Sequence, residues 1–124
     1  MQFLQTNPNV AYNPTLKEKF RKEAKKFLDD LKKFIPHSDA SYKWNPGGIA
    51  VSGEATLKLF SKKTGHGVYI LLSTGPLNDG LMFRIIKHFD DHSGGLNQYL
   101  KLEKFQNPRQ VADYIMRGAR WQVD

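Results

Sequence analysis

The sequence predicts a single α+β domain: a long amphipathic N-terminal helix packed on an antiparallel sheet of three to five strands and closed by a C-terminal helix. Three observations carry that expectation. Apolar residues recur at steps of three and four from Leu16 to Ile35, the period changes to two beyond Gly47, and a proline-headed helical pattern resumes at Asn107. A chain of 124 residues has room for one ordinary domain. The division expected is an arm over residues 1–12, which has no strong period, and a folded body over 13–124.

The first helix is expected to begin near Pro14, where Thr15-Leu16-Lys17-Glu18 has the form of a capping box. Leu16, Phe20, Ala24, Phe27, Leu28, Leu31, Phe34 and Ile35 then make one apolar stripe. Pro36 ends the helix, and Lys32 and Lys33 stand near the negative end of its dipole. Lys25 with Asp29, and Lys26 with Asp30, are spaced for ion pairs one turn apart.

Short runs of β-branched and aromatic residues follow, divided by Gly, Asn, Asp and Ser. Ile49 to Phe60 reads as one strand or two, with Gly53 the place for a bend or bulge. Val68 to Ser73 and Leu81 to Phe89 come next, and Tyr99 to Leu102 adds a fourth strand. The separators are short enough for hairpins, so a meander is the simplest topology. Asn107-Pro108-Arg109-Gln110 combines an N-cap, a proline at the first helical position and a capping-box glutamine, opening a helix to about Gly118.

Twofold alternation divides the sheet residues between two faces. One face takes Ala55, Leu57, Leu59, Val68, Ile70, Leu72, Leu81, Phe83 and Ile85, and is core covered by the first helix. The other takes Thr56, Lys58, Phe60, Tyr69, Leu71, Ser73, Met82, Arg84, Ile86 and His88, which mixes aromatic, aliphatic and basic groups. Its aliphatic members call for cover by the C-terminal helix or a second subunit. Its aromatic and basic members suit base stacking and phosphate contacts.

Nineteen Lys and Arg against twelve Asp and Glu give a net charge of +7, a surplus that favours polyanionic partners. Residues 1–36 hold eight of the basic and four of the acidic groups. The absence of cysteine excludes disulfides, thiolate metal sites and cysteine nucleophiles. No apolar run reaches the roughly 20 residues of a spanning helix, and the N-terminus lacks the pattern of a secretion signal, so a soluble cytoplasmic protein is expected.

The densest polar cluster is His88-Phe89-Asp90-Asp91-His92, whose imidazoles and carboxylates are of the types that bind zinc or harder divalent ions. The plainer reading is a turn in which the aspartates bond nearby backbone. Glu54, Asp79, Asp90 and Asp91 are the carboxylates open to a metal-dependent phosphodiesterase or nuclease, without diagnostic spacing. Nucleotide fingerprints and a nucleophile elbow are both missing, so no cofactor is implied.

The order of elements resembles that of double-stranded-RNA-binding domains. The stretch Asn107 to Ala112, however, lacks the lysine cluster that family places at the start of its final helix, and no residue role is carried over. The function expected from the residues is a small basic non-enzymatic nucleic-acid-binding module. Lys22, Lys25 and Lys26 of the first helix would supply attraction, and Lys58, Tyr69 and Arg84 closer contacts. A protein-interaction or homodimeric adaptor using the second sheet face is the alternative.

Overall fold

The computed structural model describes residues 14–45, 53–75, 78–88, 97–100 and 107–118. They form an α+β fold with helix α1 (Pro14–Lys32), strands β1 (Asp39–Asn45), β2 (Glu54–Ser61), β3 (His66–Gly75), β4 (Asn78–Ile86) and β5 (Gln98–Leu100), and helix α2 (Pro108–Gly118). The strands lie in the order β1-β2-β3-β4-β5, every neighbouring pair antiparallel. This is the expected meander, with one strand more than the sequence pattern disclosed. Among the described residues no helix is long and apolar enough to cross a membrane.

α1 starts at Pro14, the first helical position, where a missing N–H costs nothing. Thr15 therefore stands inside the first turn rather than as its cap. The apolar stripe buries Phe20, Ala24, Phe27, Leu28 and Leu31. Beyond Leu31 the backbone tightens to bonds between residues three apart, Lys33 N to Asp30 O at 3.2 Å and Phe34 N to Leu31 O at 3.0 Å. That tightening turns Phe34 outward, 40% exposed, while Ile35 stays in the core at 2%.

The strand absent from the expectation is β1. Its sequence, Asp-Ala-Ser-Tyr-Lys-Trp-Asn, has two large apolar residues, Tyr42 and Trp44, and both face the core side of an edge strand. Trp44 closes that edge against Phe20, the ring centroids 5.8 Å apart. The loop between β2 and β3 turns at Gly65, whose φ is +73° and whose N–H donates to Ser61 O at 2.9 Å. Residues 76–77 alone separate β3 from β4. α2 is capped as its sequence predicts, the Asn107 carboxamide oxygen accepting from the Gln110 N–H at 2.9 Å.

Registers set the two faces. Tyr42, Leu57, Ile70 and Phe83 align across the sheet in one row, and Trp44, Ala55, Leu72, Leu81 and Leu100 in the next. These residues share one hydrophobic cluster with the α1 stripe and with Val111, Ala112 and Ile115 of α2. Both helices thus lie on the same face, and the expectation that the C-terminal helix covers the opposite face is corrected. The apolar side of α2 is too narrow to cover a sheet alone, and it gains most area by packing beside α1 over the shared core.

On the opposite face Ile86 is nonetheless 1% exposed. Gly67 separates it from Phe60 in the same row, and a Cβ there would come within 2.7 Å of Ile86 Cγ1 and 2.8 Å of Phe60 Cδ2. The missing side chain lets the two apolar groups close over the strand.

Candidate nucleic-acid interface

The six residues singled out in the sequence fall into two groups of three. Lys58 of β2, Tyr69 of β3 and Arg84 of β4 are direct partners across adjacent strands. Neighbouring strands lie about 4.8 Å apart, so the three form one row of cation, aromatic and cation running across the sheet. This row is on the face away from the helices, because Lys58 alternates with the buried Leu57 and Leu59.

Within the row the Arg84 guanidinium carbon sits 5.1 Å from the centre of the Tyr69 ring, a cation–π contact. Arg84 makes no ion pair with a described residue, and its Nε is buried without a hydrogen-bond partner among them. Tyr69 is half-buried. Desolvation raises its phenol above the ordinary tyrosine value, the Glu54 carboxylate adds to the rise, and Arg84 opposes it. The phenol is neutral at physiological pH, able to present a ring and a hydroxyl without repelling an anion. The adjoining row, Lys43, Thr56, Leu71, Met82 and Tyr99, ends in a Tyr99 side chain that is 71% exposed on β5.

Lys22, Lys25 and Lys26 belong to α1 and stand on the other side of the sheet. The cationic ridge and the β platform are therefore not neighbours. Sequence periodicity assigns residues to faces within one element, but the tertiary packing of α1 decides which sheet face its lysines accompany.

The lysines line a groove of about 640 Å³ beside Tyr42 of β1, together with Arg21 and Lys33. Lys25 reaches Asp29 at 2.8 Å, as its spacing predicts, and places its ammonium 4.6 Å from the centre of the Tyr42 ring. The expected Lys26 pair is not made: Asp30 pairs with Lys33 at 3.4 Å instead. Residues three apart on a helix face one another as readily as residues four apart, so Lys33 is as well placed for Asp30 as Lys26 is. Arg21 pairs with Glu18 at 3.5 Å.

Tyr42 Oη is buried without a hydrogen-bond partner among the described residues. Desolvation raises its phenol above the ordinary value, against the pull of Lys25 and Arg21. A buried, unsatisfied hydroxyl is a cost, and the cation–π contact uses only the ring. Tyr42→Phe is expected to leave stability unchanged or raise it by about 1 kcal/mol. Denaturant unfolding checks this; a loss of similar size would reveal a partner for the hydroxyl.

Among the described residues no group of three or more His, Asp or Glu could hold a metal. Of the polar cluster, His88 is exposed, and Asp90, Asp91 and His92 lie outside the described residues. Glu54 faces the platform side of β2, where its field acts on Tyr69. No family model, curated protein or solved structure matches this chain.

Proposed function

We propose that the chain is a non-enzymatic nucleic-acid-binding module that engages a single strand on the sheet face away from its helices. The observation that supports this reading is the Lys58, Tyr69, Arg84 row. An aromatic ring flanked by cations offers a sequence-tolerant stacking surface beside charges for the phosphates. Strand binding by an open sheet uses such groups at alternate positions of adjacent strands, because only those point to a common side. The positive balance of the whole chain, +7, adds long-range attraction.

Fluorescence anisotropy with a labelled single-stranded oligonucleotide tests the proposal. Affinity is expected to fall as salt rises, since phosphate contacts release counterions. Tyr69→Ala is expected to weaken binding about tenfold, the loss of one stacked base at roughly 1–3 kcal/mol. Arg84→Gln should weaken it and lower the salt dependence. Undetectable binding, or a Tyr69→Ala protein that binds as tightly as its parent, removes the reading.

A further inference from the structure

We propose that the groove between α1 and the edge of β1 takes an acidic, extended polypeptide segment, which adds alongside β1 as a further strand. The site is distinct from the platform and lies on the other side of the sheet. Among the described residues β1 pairs with β2 alone and is the edge strand of the sheet. An edge strand offers main-chain N–H and C=O groups to an incoming strand. Alternate side chains of that strand would lie on the Tyr42 side of the sheet, facing α1 across the groove.

Charge selects the occupant. Three of the groove's cations are paired within α1, Arg21 with Glu18, Lys25 with Asp29 and Lys33 with Asp30. Lys22 and Lys26 also line the groove and make no ion pair among the described residues. One turn apart on α1, they are separated by about 6 Å along the axis. Side chains two residues apart in an extended strand are about 6.7 Å apart. A segment with acidic residues at alternate positions therefore meets both lysines while its backbone pairs with β1.

A second copy fits poorly, because edge pairing of two β1 strands would set Lys43 and the α1 lysines of two basic chains against each other. A nucleic acid has no use for a peptide edge, whereas an extended polypeptide can pair with it along its main chain.

The test uses a fluorescein-labelled peptide as long as β1 that alternates glutamate with valine, and an isomer with the same residues in two blocks. The alternating peptide is expected to bind about tenfold more tightly than its isomer and to protect the amides of residues 39–45 from hydrogen exchange. Lys22→Gln with Lys26→Gln, both at exposed positions, should weaken it about tenfold while the folded signal in circular dichroism is kept. Equal binding of the two peptides, no protection of β1, or no effect of the lysine substitutions overturns the proposal. So does displacement by a single-stranded oligonucleotide, which would assign the groove to phosphates. Loss of oligonucleotide binding in the Tyr69→Ala protein leaves this result untouched, so the two proposals fail separately.

Discussion

Replacing Phe83 with alanine is expected to remove about 4 kcal/mol of folding stability, the range measured for burying and then deleting a phenyl ring in a close-packed core. Phe83 is fully buried on β4, between Ile70 of β3 and Gln98 of β5 in the register. Its ring meets Tyr114 of α2 edge to face at 6.3 Å and 89°. The substitution therefore loses apolar burial, leaves a cavity and detaches one of the contacts that seat α2 on the sheet. Small domains are stable by only about 5–15 kcal/mol, so most of the margin can disappear with this one ring. Urea unfolding followed by circular dichroism measures it. A loss below about 1 kcal/mol would mean that the site collapses freely, contrary to close packing around the ring.

The second large effect is expected at Gly53, which precedes β2 with φ at +97°. An alanine there pays twice in geometry. The backbone angle lies in a region that L-residues rarely adopt, a strain of about 1–3 kcal/mol. The added Cβ would also stand 2.5 Å from Trp44 Cη2 and 2.7 Å from Cζ2, so the indole must leave its place against Phe20. Gly53→Ala should cost about 3 kcal/mol in all. Gly65 provides the internal comparison. Its φ is +73°, but nothing lies within 4 Å of its added Cβ, so Gly65→Ala should show the backbone share alone, about 1 kcal/mol. Equal losses at the two glycines would show that Trp44 yields without cost.

The legible parts of this fold are those written in local period and local chemistry. The α1 stripe from Phe20 to Leu31, the alternation of β2 from Ala55 to Leu59 and the Asn107 cap each depend on residues within a few positions of one another. β1 is not legible because an edge strand with two large apolar residues in seven scarcely differs from a polar loop. Phe34 belongs to the stripe by α-periodicity yet faces outward, because periodicity cannot foresee the tightened last turn. Asp30 has lysines both four residues before it and three after it, and spacing alone does not say that it pairs with Lys33 rather than Lys26.

Of the candidate interface, the residue types and the face of Lys58, Tyr69 and Arg84 were readable, because alternation is a property of each strand by itself. Their alignment into one row was not, since register depends on where two separate turns fall. The sequence by itself determined the α+β class, the two helices, the meander and the buried face, all consequences of side-chain periodicity acting through the hydrophobic effect. The tertiary structure decided that both helices share one face, that the α1 lysines and the aromatic row stand on opposite sides, and that β1 forms the edge beside the basic groove. Those choices are settled by which apolar surfaces bury one another most fully, a competition among distant segments that no local pattern records.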